Sequence, residues 1–228
     1  MSQDFQQVVA ILSQSERKFV KLVEDAKTSI TFKTEMLYAS TAMMNNEYLA
    51  GVAVKNPMSL RSAFQQVAAC GLTLNPARVL AYLVPRDGQV LLDISYRGMI
   101  RMAVEDGAIK DCIVELVYST DEFSYKGKRN SPEHVFNPFA DKAKRGEFVG
   151  VYVEAMLPDG RLHVEAIPAE EIYAARAVSD LWKRKKKGPW VDFFTSMAKK
   201  TAIKIARKYW PQGSGRLDNA IAYLNENG

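Results

Sequence analysis

The stretch RVLAYLVPRDGQVLLDISY, residues 78–96, decides the fold class. Before it, apolar residues recur at helical spacing; within it, they crowd into two short β-rich runs. Asp87-Gly88 separates the runs, and an Asp-Gly pair supplies the positive-φ residues of a tight antiparallel hairpin. The chain therefore switches here from helix to strand.

Immediately upstream, NPMSLRSAFQQVAACG (56–71) has Pro57 in a first helical turn and Gly71 at the position after a last one. Further back, FQQVVAILSQSERKFVKLVEDA (5–26) and TFKTEMLYASTAMMNNEYLAGV (31–52) also read as helices. Downstream, a helix from about Arg97 to Asp106 stops at Gly107. IKDCIVELVY, FSYKG, EFVGVYVEAML and RLHVEAI then read as strands within 109–167, with a second hairpin turn at PDG, 158–160. The polar segment from Lys126 to Glu147 reads as a loop. Helices are expected again over about 168–178, 190–209 and 216–225. Helices, then strands, then helices make an α+β protein.

Composition removes several function classes. With 47% apolar and 25% charged residues the chain matches a soluble globular protein, and no apolar run approaches the ~18 residues of a membrane helix. The opening MSQDFQQVV lacks a basic region followed by an apolar one, so no signal peptide is expected. Cys70 and Cys112 read as small buried hydrophobes in a reducing, cytoplasmic compartment. No glycine-rich phosphate loop ending in Gly-Lys-Ser/Thr occurs. The only histidines, His134 and His163, have no paired cysteines, so no metal site and no cofactor are expected. PDGRLHVEAI resembles the start of a nuclease pattern through Asp159 and Glu165, but Ile167 stands where that pattern needs lysine. No catalytic residue is assigned.

The charge distribution points elsewhere. Net charge is +5. The excess sits in residues 183–208, where Asp192 is the one acid among the Lys and Arg residues; that is the footprint of a polyanion site. On a helix at 100° per residue, Lys200, Lys204, Arg207 and Lys208 fall within an arc of about 100°. Phe194, Ala198, Thr201, Ala202, Ile205 and Tyr209 lie opposite, which predicts a cationic rail on an apolar-backed helix. Just before it, LWKRKKKGPW places Lys185 and Lys186 in a basic loop between Trp182 and Trp190, suited to backbone contact and stacking.

Five ordered blocks carry a resemblance: AACGLTLNP (68–76), AYLVP (81–85), SYRGMIRMA (95–103), DEFSYKG (121–127) and GPWVDFFTSMAKKTAIKIARKYWP (188–211). Together they are similar to the RecT-type phage recombinases, single-strand annealing proteins. The resemblance implies a central antiparallel sheet flanked by N-terminal and C-terminal helices, with a narrow basic groove for the DNA backbone. It implies ATP-independent annealing of complementary strands, through an annealed duplex intermediate, beside a partner exonuclease and a host single-strand-binding protein. It also implies a homo-oligomer, ring or helical filament, in a bacterial host cell. Carried over by position, the DNA-contacting residues are Tyr96, Arg97, Lys199, Lys200, Lys204 and Arg207, with Lys126 and Lys128. Family members extend beyond the KYWP block with an acidic tail or small partner-binding domain; this chain runs to Gly228.

The expected organisation is one domain. Residues 1–77 form a helical oligomerisation lobe, 78–211 a sheet with the basic helix as DNA-binding core, and 212–228 a short final helix. MLYASTAMMNNEYL (36–49), poor in charge, reads either as a helix buried within its own subunit or as one packing on a neighbouring subunit through Met43 and Tyr48, and the second is the expectation. Two other functions compete with annealing: RNA binding or scaffolding, and metal-dependent nuclease action through Asp159 and Glu165.

Overall fold

A computed structural model describes residues 3–179, 182–183 and 186–226. These form two compact units. The first takes in the chain up to Met102 together with Gly215 onward, and the second runs Ala103–Ser214. No helix among the described residues is long and apolar enough to cross a membrane.

The first unit begins with five helices: α1 (Gln3–Ser13), α2 (Glu16–Asp25), α3 (Phe32–Met44), α4 (Glu47–Lys55) and α5 (Pro57–Cys70). Their ends are set by side chains that satisfy orphan backbone groups. Asn46 and Asn56 accept from the Leu49 and Ser59 amides at 3.0 and 3.2 Å. Gly71 ends α5 at φ +65°, where a Cβ would also collide with Thr28. Phe19 stacks on Phe64 at 4.7 Å and Phe32 meets both edge-on, tying α2, α3 and α5 into one core.

The hairpin β1 (Ala81–Arg86) and β2 (Gln89–Ile94) turns at Asp87 and Gly88, both with positive φ. Ser59 on buried α5 accepts the Val90 amide at 3.0 Å, which fixes the hairpin on the helices. The conspicuous GLTLNP segment is a polar latch. Glu35 of α3, 1% exposed, accepts from the Thr73 hydroxyl and the Leu74 amide, both at 2.7 Å. Burial pushes its pKa up, and those two hydrogen bonds only partly oppose it. After the hairpin comes α6 (Tyr96–Glu105), whose last turn belongs to the second unit. The unit is completed by α10 (Arg216–Glu226), which buries Leu217, Ala220, Ile221 and Leu224 while the Tyr223 hydroxyl accepts from the Leu92 amide at 3.3 Å.

The second unit is built on a three-stranded antiparallel sheet of β3 (Asp111–Tyr118), β6 (Phe148–Met156) and β7 (Leu162–Pro168), with β6 central. Beside it lies the pair β4 (Glu122–Ser124) and β5 (Glu133–Val135). Helices α7 (Ala169–Val178), α8 (Pro189–Asp192) and α9 (Phe194–Ala206) complete it. The α+β class, antiparallel pairing and flanking helices are therefore all present, with the strands shared among three small sheets.

Two local expectations are corrected. The segment 126–147 is not all loop, because Phe123 pairs with His134 in register and makes β5. The helix expected over 190–209 is interrupted at Phe193, whose ψ of 42° breaks the helical path; it ends in a 3-10 turn at Arg207–Tyr209.

The β4–β5 pair is pinned by a buried ionic cluster. The Asp121 carboxylate accepts from Arg145 at 2.5 and 3.1 Å, from the Tyr118 amide at 2.9 Å, and lies 3.1 Å from His134 Nε2. The Arg145 guanidinium also lies over the Tyr118 and Phe136 rings, at 4.5 and 4.0 Å. Burial alone would raise the Asp121 pKa, but these donors together hold it below the ordinary carboxylate value.

Candidate nucleic-acid interface

Helix α9 is where the charge excess meets the fold. Ala198, Ala202 and Ala206 recur every fourth residue and are all buried, with Ile203 beside them. Small residues in one column let the helix axis approach β3 and β6 closely. At its start Phe194 packs on Phe148 at 5.1 Å and near Trp190 at 6.3 Å. The buried arc is thus turned by roughly 60° from the expected one. Thr201 and Ile205 are half-buried and Tyr209 is exposed, while Ile203 and Ala206 take the core positions. The alanine column, not the bulkiest side chains, chooses which face meets the sheet.

This rotation sorts the cations. Lys200, Lys204 and Arg207 lie on the side away from the alanine column, half-buried and each engaged by neighbours, and Lys208 is exposed. Lys199 falls on the sheet side. Its ammonium donates to Glu115 of β3 at 3.1 Å and its side chain is largely buried.

Other cations of this unit also have partners. Lys126 lies 3.2 Å from Glu133. Lys128 donates to Glu165 of β7 at 3.0 Å, and its ammonium sits 4.6 Å from the Tyr209 ring centre. His163 stacks on the same Tyr209 ring at 5.4 Å. Lys186 lies 4.9 Å from the Trp182 ring, which Arg176 also covers at 4.2 Å. Lys185 is outside the described residues. Trp190 is 6% exposed, a core wedge against Phe194, so the half-buried indole of this region is Trp182.

Tyr96 and Arg97 belong to the first unit, in the opening turn of α6. Ser95 caps that turn, its hydroxyl accepting the Gly98 amide at 3.1 Å and donating to the Val79 carbonyl at 2.6 Å. Gly98 is required there, since a Cβ would stand 2.4 Å from the Leu80 carbonyl oxygen. Arg97 reaches solvent and donates to the Tyr96 hydroxyl at 3.2 Å.

The nuclease pair does not assemble. Asp159 is held by Arg161, which brings its pKa down, and Glu165 is held by Lys128. Among the described residues no cluster of three or more His, Cys, Asp or Glu is placed to hold a metal ion. Sequence reasoning missed Glu115, Glu133 and Glu165 as partners of the cations. The readable hint was Glu115 between the core residues Val114 and Leu116 on β3, and Glu165 next to the core residue Val164 on β7.

Comparison with known proteins agrees with the resemblance. The RecT family model matches residues 34–226. "Protein RecT" from Escherichia coli (strain K12) is 34% identical over 162 residues, covering 68% of this chain and 58% of that protein. The match thus spans under two thirds of that relative's length, but most of this chain. On the extent of the family match and the identity to that relative, the chain belongs to the RecT family.

Proposed function

We propose that this chain binds single-stranded DNA without sequence preference and anneals complementary strands without hydrolysing a nucleotide, as a homo-oligomer in the bacterial cytoplasm. The observation that carries the reading is α9: one side is an alanine column seated on the sheet, and the other presents Lys200, Lys204, Arg207 and Lys208. Cations on such a surface hold phosphates, which carry no sequence information, and leave base edges free to pair. Tyr96 and Arg97 are proposed as strand contacts of the first unit, and Lys126, Lys128, Lys186 and Lys199 as further contacts of the second. Subunit contacts are assigned to the first unit. There Tyr48 is 71% exposed, with Leu37 and Met44 exposed nearby in sequence. Met43 is a core residue, 1% exposed, and is withdrawn from that role.

The test is strand annealing followed by energy transfer between labelled complementary oligonucleotides, with and without ATP. Annealing faster than the protein-free rate in both arms is expected. A strict ATP requirement, or tighter binding of a matched RNA than of the DNA, would overturn the reading.

A further inference from the structure

One carboxylate of the second unit stands between a cation and a histidine. Glu165 accepts from the Lys128 ammonium through both oxygens, at 3.0 and 3.4 Å. His163 lies two residues back on β7 and therefore on the same face of the strand. Its Nε2 is 3.3 Å from Glu165 Oε2, within ion-pair range yet not aligned for a hydrogen bond, and that nitrogen is buried without another partner. The carboxylate and imidazole are 14% and 15% exposed, against 53% for Lys128. Among the described residues two phenols also face this cluster, Tyr209 stacked on the imidazole and Tyr125 near Lys128.

A largely buried carboxylate needs a positive partner. An arriving phosphate competes for the same Lys128 ammonium. When the phosphate takes it, Glu165 is left without its cation, beside the side chain best able to become one near neutral pH. We propose that Glu165 is a resident competitor for phosphate at Lys128. Strand binding then passes its carboxylate from Lys128 to His163, which takes one proton from solvent. This rests on the reading that the chain binds DNA strands through its paired lysines.

The chain has two histidines and His134 is already held by Asp121, so of the two His163 is the proton acceptor; the variants below separate it from Glu165 itself. Fluorescence anisotropy with labelled oligothymidylate at constant low salt tests this. The unaltered protein should bind more tightly as pH falls from about 8 to about 6. Glu165→Gln should bind about two- to fivefold more tightly than the unaltered protein at the upper pH, and with a flatter pH response. His163→Asn should keep the upper-pH affinity and lose the rise. Glu170→Gln, an exposed acid of α7, controls for general loss of negative charge. Calorimetry of the unaltered protein in buffers of different ionisation heat should show proton uptake on binding, and it decides alone if a variant misfolds. Binding without proton uptake, or Glu165→Gln gaining no more than Glu170→Gln, overturns the proposal. Failure of the unaltered protein to bind any strand overturns the proposed function instead.

Discussion

Two clusters of the second unit contain the same ingredients: a carboxylate, a cation, a histidine and aromatic rings. Around Asp121 they make a fastener; around Glu165 they make an exchangeable contact. The difference lies in geometry and burial. Asp121 is 1% exposed and receives a planar, two-pronged guanidinium, a backbone amide and a histidine at once. An incoming anion would have to displace the carboxylate from all of those fixed donors at once. Glu165 is held by a lysine, a mobile point charge that a phosphate can turn elsewhere. Charged residue types therefore do not reveal whether a pair is structural; the number and rigidity of the donors does.

Removing the fixed cation should give the largest effect. Arg145→Ala strands a buried carboxylate and should cost about 3–5 kcal/mol in urea unfolding followed by tryptophan fluorescence. A near-unchanged midpoint would place Asp121 among the exchangeable pairs. The same cluster sets an acid limit. The Asp121 pKa in the folded protein lies below its ordinary 3.8, so its stabilisation is complete above that pH and is lost as pH falls through the lower folded value.

Glu35 sharpens the contrast because its shift has the opposite sign. It is buried with the Thr73 hydroxyl and the Leu74 amide as its donors, and its pKa lies above the ordinary 4.5. Its contribution to stability is thus fully present below 4.5 and lost as pH rises through the folded value. Hydrogen exchange across a pH series should show amides of the first unit gaining protection on mild acidification, before amides around Asp121 lose it. Parallel behaviour of both regions would remove the distinction.

Smaller effects are expected where cations face outward. Lys208→Ala, at the exposed end of the rail, should leave the melting temperature nearly unchanged, weaken all oligonucleotides alike, and lower the log–log salt slope by about 0.7. A sequence-dependent loss would contradict phosphate contact. Tyr48→Glu should reduce oligomer size in light scattering with circular dichroism unchanged; undiminished assemblies would move the subunit contact elsewhere. The least response is expected from the thiols. Burial pushes Cys70 and Cys112 up to about 12, so iodoacetamide near neutral pH should label neither in the native protein. Rapid labelling of Cys112 would show that its strand opens.

What the sequence revealed was local chemistry. Pro57 and Gly71 bracket α5, Asp87-Gly88 turns the hairpin, and the five blocks identify the family, because each is a property of neighbouring residues. What it concealed was pairing across the chain. Lys128 meets a carboxylate 37 residues away and Lys199 one 84 residues away. β5 has too few residues to show an alternating pattern, and only its register with β4 defines it. Helical spacing alone places Ile205 and Tyr209 on the apolar side of α9, whereas close approach to the sheet favours the alanine column and buries Ile203 and Ala206 instead. Trp190 stands next to a run of lysines in sequence but points its ring into the core.

The last helix, α10, belongs to the unit that the chain begins, although the whole second unit is synthesised between them. At roughly 5–20 residues per second, that interval lasts on the order of 10 s on the ribosome. During it, the surface of α5 and β2 that α10 will cover stays open to the cell, and the Leu92 amide waits for its tyrosine. Maturation of the first unit is therefore ordered in time: its earliest-made residues are among the last to reach their final packing.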